Sequence, residues 1–246
     1  MNVEDTVEIS IIIPVYNEQG NLPFLFDELK GLTEIITVAF EVIAVDDCSN
    51  DGSREILDEA SRQLPFLQVT ATKANLGMGA AIIRGVAISK GRYIFWAMAD
   101  LSDRLSDIIA THEKLREGFD LVVASRAMQG GSYGGLLGWK SFLSHSYSWF
   151  ASRLFGIPIG DVTNAFRGMK RELFFALELK SQDFTLSPEM TLKAHRHGAK
   201  ITEIPTVYRY RQTGISSFKV MKMGIQYASL FALRFLPAPK ETDDDL

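Results

Sequence analysis

Two carboxylates follow a predicted buried strand in the stretch WAMADLSD, residues 96–103. Asp100 and Asp103 come directly after the apolar residues 93–98. Carboxylates at a strand end are typical of a site that binds Mg²⁺ together with the phosphates of a substrate. The alternative is structural, with Asp103 capping the helix predicted after it. The other polar loops of the chain bear on this choice.

Short apolar runs alternate with helical patterns along the first half of the chain. We predict strands near residues 9–14, 40–45, 67–71, 93–98 and 120–125. This alternation indicates an α/β fold with a mostly parallel sheet and helices on both faces. In such a sheet ligands bind beyond the carboxyl ends of the strands. The polar loops YNEQGN, DDCSND, DLSD and SRAMQGG follow four of the strands, which predicts a binding site where they meet.

Length and composition exclude several classes of protein. The chain has 246 residues, enough for one α/β domain with a tail, and its net charge of −4 argues against broad nucleic-acid binding. A single cysteine, Cys48, cannot form an intrachain disulfide and suits a reducing compartment. No signal peptide and no apolar run long enough for a spanning helix is visible. We therefore expect a cytoplasmic protein, or one that lies at the inner face of a membrane.

The charges are unevenly distributed along the chain. No acidic residue lies between Asp120 and Asp161, and none lies within residues 204–240, although both stretches carry lysines and arginines. A net acidic chain can in this way form one positive face. The pattern favours a local site for a phosphate-bearing partner.

Seven stretches together resemble one protein family in their order and spacing. They are IIIPVYNEQGNL, VIAVDDCSNDGS, NLGMGAAIIRG, ADLSD, ASR, DVTNAFRGMKRELF and RYRQTGISSFK. They look like the family 2 glycosyltransferases, and most resemble the polyprenol-phosphate (dolichol-phosphate) mannosyl- and glucosyltransferases. The resemblance covers residues 8–220 and implies a GT-A fold (Rossmann-like), a nucleotide-diphosphate-sugar donor and Mg²⁺ or Mn²⁺. With it we expect a GT-A domain over residues 1–217, followed by an amphipathic helix and an acidic tail over residues 218–246.

The resemblance also implies where the nucleotide sugar binds. Pro14, Tyr16 and Glu18 match the family's first loop and would hold the base and the ribose. Asp46 and Asp47 would read the same groups as carboxylate acceptors; taken alone, the pair is equally well explained as a turn acid and a cap of the following helix.

Further donor-binding residues come from later motifs. Asn75, which we expect to cap the following helix, and Gly77 belong to the family's next donor loop. Arg126 and Arg211 match family arginines that would hold phosphates. With Asp100 they form the expected catalytic set.

The chain departs from the family where the metal would bind. The usual Asp-x-Asp motif is Met98-Ala99-Asp100 here, so the first acid is missing, and a thioether is a poor ligand for Mg²⁺. Asp100 would bind the metal, and Asp103 with Ser102 would supply the missing ligands. Two alternatives stay open: a rearranged active site, or a site that binds a nucleotide sugar without turnover.

The acceptor side is predicted from what the chain lacks. Transfer to a hydroxyl needs a general base, and no base motif follows the strand at residues 120–125. A phosphate acceptor is already an anion and needs cations instead. The expected acceptor-side residues are Lys140, Asp161, Glu189 and Lys219, with a structural role as the alternative for Asp161.

The last helical pattern, residues 218–235, carries Lys219, Lys222, Gln226 and Ser229 on one stripe of an otherwise apolar surface. It is either a core-packed helix or one that lies on a membrane surface. We therefore expect an inverting, metal-dependent transferase that moves a hexose to a polyprenyl phosphate at a membrane surface. A glycan or lipid hydroxyl as acceptor is the alternative, as is a nucleotide-sugar-binding protein without transferase activity.

Overall fold

A seven-stranded sheet forms the centre of the computed structural model, which describes residues 7–134, 138–211 and 220–235. In chain order the strands are β1 (Ile9–Val15), β2 (Phe40–Asp46), β3 (Leu67–Ala71), β4 (Tyr93–Trp96), β5 (Leu121–Ser125), β6 (Arg167–Lys170) and β7 (Ile201–Pro205). Their order across the sheet is β3-β2-β1-β4-β6-β5-β7. All neighbouring pairs are parallel except those of β6. The five predicted strands are all present.

Helices cover both faces of this sheet. In chain order they are α1 (Leu22–Ile35), α2 (Ser53–Gln63), α3 (Met78–Ile88), α4 (Asp107–Arg116), α5 (Gly138–Phe155), α6 (Arg171–Ala176), α7 (Leu186–Arg196) and α8 (Val220–Ser229), with a 3-10 helix over Leu230–Phe235. One hydrophobic layer contains α1, α2 and α4, and the other contains α3, α5, α6 and α7. Among the described residues, no helix has both the length and the hydrophobicity to span a membrane.

The central strand β1 shows why its sequence is apolar throughout. Ile11 and Ile13 belong to the layer of α1, whereas Ile12 belongs to the layer of α3. Successive side chains of a strand point to opposite faces, so a parallel strand covered on both sides has no polar face. The expected α/β architecture, mostly parallel with helices on both faces, is confirmed.

Strand β6 is the exception, since it runs antiparallel to β4 and β5. Its sequence, RGMK, has no β-branched run. A Cβ at Gly168 would lie 2.6 Å from the ring of Phe95, so glycine is required where β6 passes that ring. The strand is specified by its tertiary neighbours rather than by a local pattern.

The C-terminal helix contacts the rest of the domain through a residue of the predicted polar stripe. Gln226, which belongs to that stripe, donates through Nε2 to Asp183 Oδ2 at 2.8 Å. Ile225 beside it is 74% exposed. Lys219 and the side chain of Lys222 lie outside the described residues, as does the expected domain boundary at 217/218, which stays a prediction.

Candidate active site

Loops from the carboxyl ends of β1, β2, β4 and β5 meet at one cavity of about 1270 Å³. Their meeting at this edge is what the strand alternation predicts. The start of α3, helix α5, the segment 180–185 and the C-terminal helix supply the remaining walls. The cavity is therefore built from both halves of the chain.

One end of the cavity is formed by the first loop and the entry to α3. Pro14, Tyr16 and Glu18, which are expected to bind the donor, all line it. Asp47 lines it too, and its carboxylate orders the loop before α3. Its Oδ1 accepts the Leu76 N–H at 3.0 Å, and its Oδ2 accepts the Gly77 N–H at 2.7 Å.

The structure does not bring Asp46 into the cavity. Asp46 is buried at the end of β2, and its Oδ1 accepts the Ser49 N–H at 3.2 Å. It stabilises the turn after the strand, whereas Asp47 faces the cavity.

The predicted cap of α3 is wrong. Asn75 lines the cavity, but the N-cap position is Gly77, and no side chain caps the helix. The reason is that Asp47 holds the loop there, with Gly77 at φ +101°. A Cβ on Gly77 would lie 2.6 Å from the carbonyl oxygen of Gln182, so the segment 180–183 packs directly on this turn.

Asp100 and Arg211 form an ion pair in the cavity. Arg211 Nη2 lies 2.7 Å from Asp100 Oδ2 and 3.4 Å from Glu18 Oε1. The other oxygen of Asp100 accepts the Ser102 N–H at 3.0 Å. Burial raises the pKa of Glu18, although the hydrogen bond from Asn21 and the charge of Arg211 oppose the shift. The late arginine thus bridges two acids from different strand ends.

Asp103 does not cap α4, because that helix begins at Asp107 with Ser106 as its N-cap. Asp103 is buried in the cavity wall, and its Oδ2 accepts the Met98 N–H at 2.9 Å. Burial raises its pKa to about 7, and the charge of Asp100 adds to the shift. Its carboxylate closes the loop on which Asp100 lies.

The three expected metal ligands are unequal in this geometry. All three line the cavity, but Asp100 is ion-paired with Arg211, whereas Asp103 accepts the Met98 N–H and Ser102 contributes a hydroxyl. Among the described residues, no three His, Cys, Asp or Glu side chains cluster as a metal site. Mg²⁺ is commonly held by one or two carboxylates plus substrate phosphates and water. The site fits an ion whose remaining ligands come with a diphosphate, and not an ion held by the protein alone.

A buried ion pair organises another part of the cavity wall. Arg126 donates through Nε to Asp161 Oδ2 at 2.7 Å and through Nη2 to Asp161 Oδ1 at 2.9 Å. The same Nη2 reaches the hydroxyls of Ser144 and Thr163, at 3.1 and 3.0 Å. Burial alone would raise the pKa of Asp161, but the Arg126 guanidinium outweighs it and holds that pKa below the usual value. Asp161 is fully buried and supports Arg126, which itself lines the cavity.

The other predicted acceptor-side residues have different roles. Lys140 lines the cavity, and its Nζ lies 5.7 Å from the ring centroid of Trp139. Glu189 is buried instead, where it accepts the Ser181 N–H at 2.8 Å and pairs with Lys193. It holds the segment 180–181 in place and does not face the cavity.

Two walls of the cavity were not predicted. Helix α5 contributes apolar side chains, and the segment 180–185 contributes polar ones. The missed residues are Trp139, Leu143, Tyr147 and Phe150 on α5, with Lys180, Gln182 and Asp183 on the segment. The absence of acids between residues 120 and 161 was the available signal for the first wall.

Known proteins resemble this chain in sequence and in fold. The model of glycosyl transferase family 2 matches residues 10–176. An undecaprenyl-phosphate 4-deoxy-4-formamido-L-arabinose transferase from Yersinia enterocolitica is 29% identical over 222 residues, which are 89% of this chain and 65% of the relative. A polyprenol monophosphomannose synthase from Mycolicibacterium smegmatis is 27% identical over 241 residues, covering 91% of this chain and 89% of the relative. The chain thus spans less than two thirds of the first of these relatives.

A solved structure shows the same fold. Glucosyl-3-phosphoglycerate synthase from Mycobacterium tuberculosis, in complex with Mn²⁺, uridine diphosphate and glucosyl-3-phosphoglycerate, superposes with a TM-score of 0.69 at 16% identity. The match covers 94% of this chain and 81% of that one. The likeness is one of fold, and it confirms the expected GT-A architecture.

Proposed function

The chain is a member of glycosyl transferase family 2, and from that premise we propose that it moves a hexose from a nucleotide-diphosphate sugar to a polyprenyl phosphate with inversion. One observation carries the proposal. A single cavity joins the loops after β1 and β2, where we expect the nucleotide to bind, to a cationic end whose wall is a helix of exposed aromatic residues. The names of the two relatives, which concern polyprenyl phosphates, support the same acceptor class.

At the donor end, Asp100 would hold a divalent ion, which when bound neutralises charge on the leaving diphosphate. Arg211 is already in contact with carboxylate oxygens of Asp100 and Glu18. Phosphate oxygens are equivalent partners for a guanidinium. Arg211 can therefore exchange a carboxylate for a donor phosphate without leaving its place.

At the acceptor end, Arg126 would orient the attacking phosphate. Its Nε and Nη2 donate to Asp161, Ser144 and Thr163. Nη1 donates to no described residue, so it is available to a ligand. Lys140 adds a second cation that has no carboxylate partner among the described residues. An anionic acceptor held by two cations needs no protein base to remove a proton.

The aromatic wall supports a lipid acceptor. On α5, Phe142 is 69% exposed, Trp149 is 56% exposed and Trp139 is 52% exposed. Tryptophan is enriched where proteins meet the membrane interface. We therefore place the membrane-facing surface on α5, where the polyprenyl tail would leave the cavity.

The donor half of the proposal is tested by binding. A panel of nucleoside diphosphate sugars, each with Mn²⁺ or with chelator, should identify a donor that raises the melting temperature only when metal is present. In Asp100→Ala the metal should make no difference, whereas Asp58→Ala, on the exposed face of α2, should behave as wild type. Equal stabilisation with chelator would contradict the metal assignment.

The transfer itself is tested with the donor so identified. Labelled donor and a short polyprenyl phosphate in detergent should give a lipid-linked sugar. A donor that binds while no sugar is transferred or hydrolysed would instead identify a binding protein without transferase activity.

A further inference from the structure

A second, smaller cavity of about 270 Å³ lies beside α5. His145, Trp149 and Arg153 line it from the helix, and Ile157 and Ile159 line it from the segment that follows. We propose that this cavity binds the phosphate headgroup of an anionic membrane lipid. It is separate from the larger cavity of about 1270 Å³, which we call the transfer cavity. The inference rests on the proposed function only in placing the protein at a membrane.

The spacing of the three helical residues creates a cationic and aromatic stripe. His145, Trp149 and Arg153 are four residues apart, so they lie on one face of α5. The Arg153 guanidinium lies 5.6 Å from the ring centroid of Trp149. Arg153 has no carboxylate partner within the described residues, and guanidinium is the side-chain group that best matches a phosphate.

One acidic side chain lies beside the cavity, but it does not pair with Arg153. No acid occurs between residues 120 and 161. Glu203 is the acid at the rim, and its Oε2 accepts the Gly160 N–H at 2.9 Å. Glu203 keeps its negative charge in that hydrogen bond, but among the described residues it forms no ion pair with Arg153, which is exposed.

The position of the cavity indicates a bilayer lipid as the occupant. Trp139, Leu143 and Phe150 line the transfer cavity on one side of α5, whereas His145 and Trp149 line the small cavity on the other. The exposed outer face of the helix lies between the two openings. A membrane that contacts this face would reach both cavities, so one lipid can enter each.

Vesicle binding without nucleotide sugar or acceptor tests the proposal. The wild-type protein should bind vesicles of phosphatidylcholine with phosphatidylglycerol more tightly than vesicles of phosphatidylcholine alone. Arg153→Gln should lower partition into the anionic vesicles about fivefold, as expected for one basic residue at an anionic surface, and leave binding to the neutral vesicles unchanged. Trp149→Ala should lower binding to both.

The matched control is Arg116→Gln, which removes the same charge from an exposed arginine in the last turn of α4. It should bind as wild type. Equal losses in Arg116→Gln and Arg153→Gln, or no loss in Arg153→Gln, would overturn the site.

Tryptophan quenching gives a second readout. The chain has three tryptophans, of which Trp96 is fully buried, so Trp139→Phe leaves Trp149 as the accessible one. Brominated phosphatidylglycerol should quench Trp149 more strongly than brominated phosphatidylcholine, and Arg153→Gln should remove the difference. Equal quenching by both lipids in the Trp139→Phe protein would contradict a headgroup site. A failure here is distinguishable from failure of sugar transfer, because neither donor nor acceptor is present.

Discussion

Replacing Asp161 by asparagine should be among the most destabilising isosteric changes in this chain. The substitution leaves the shape of the side chain but removes the charge that pairs with Arg126, whose side chain is 7% exposed. Breaking a buried ion pair by removing one partner costs about 3–5 kcal/mol, because the remaining charge stays buried without compensation. At about 2–4 °C per kcal/mol for a chain of this size, the melting temperature should fall by about 6–20 °C.

The matched control is Asp58→Asn, which removes the same group from the exposed pair Arg54–Asp58, 40% and 41% exposed. Exposed pairs contribute about 0–1 kcal/mol. Urea unfolding of both variants gives the two free energies. The double variant Arg126→Gln with Asp161→Asn should lose less than the sum of its single variants. A cost for Asp161→Asn no larger than that for Asp58→Asn would refute the buried pair as an organising element.

Three further outcomes follow from single contacts. Burial raises the pKa of Asp103 in the folded state to about 7, so the folded protein becomes less stable as pH rises from the unfolded pKa to the folded one. Between pH 4 and 7 the free energy of unfolding of wild type should therefore fall by about 4 kcal/mol relative to Asp103→Asn, as measured by urea unfolding at each pH. A constant difference between the two proteins across that range would contradict the burial of this group. Gly77→Ala should destabilise by about 1–3 kcal/mol because φ is +101° and the Cβ meets the Gln182 carbonyl. Gly31→Ala is the control, because nothing lies within 4 Å of a Cβ at Gly31, and it should be neutral or stabilising. Thermal unfolding measures both variants, and similar losses of stability in both would refute the close approach of the Gln182 carbonyl to Gly77. Lys140→Gln should raise KM for polyprenyl phosphate about tenfold with the donor Kd unchanged. An effect on donor binding alone would instead assign Lys140 to the donor site.

Strands β1, β2, β4 and β5 could be predicted because each is a short, buried, apolar run that meets a polar loop. The sheet buries both faces of these strands, so their side chains are apolar on both faces, as Ile11 and Ile12 show. Strand β6 could not be predicted in the same way, because its buried residue Arg167 is charged rather than apolar. The Arg167 guanidinium is held in the interior by hydrogen bonds to the Ser187 carbonyl and the Thr191 hydroxyl. Its position depends on α7, which comes later in the chain.

Helix α5 was missed for a related reason. Only Ser148 and Ala151 are buried on it, while its large side chains, such as Phe142 and Trp149, are exposed. This pattern is the inverse of an amphipathic helix with an apolar inner face. A helix that presents aromatic residues outward is recognisable only once its surroundings are known.

Within the site, the sequence placed Pro14, Tyr16, Glu18 and Asp100 at one cavity but could not separate Asp46 from Asp47. The two acids are adjacent, and which of them faces the cavity depends on the turn after β2. The ion pair between Asp100 and Arg211 spans 111 residues of sequence, and no local pattern indicates it.

The most direct measurement of the central claim compares two acceptors that share one lipid tail. Initial rates of sugar transfer are measured with a polyprenyl phosphate and with the corresponding polyprenol, using one donor and one metal across pH 5–9. We predict transfer to the phosphate alone, at a rate that follows ionisation of the acceptor phosphate and falls about ten- to a hundredfold in Arg211→Gln. Transfer to the polyprenol, lost in Asp103→Asn and dependent on a group with a pKa near 7, would contradict the account and identify a hydroxyl acceptor with Asp103 as its base.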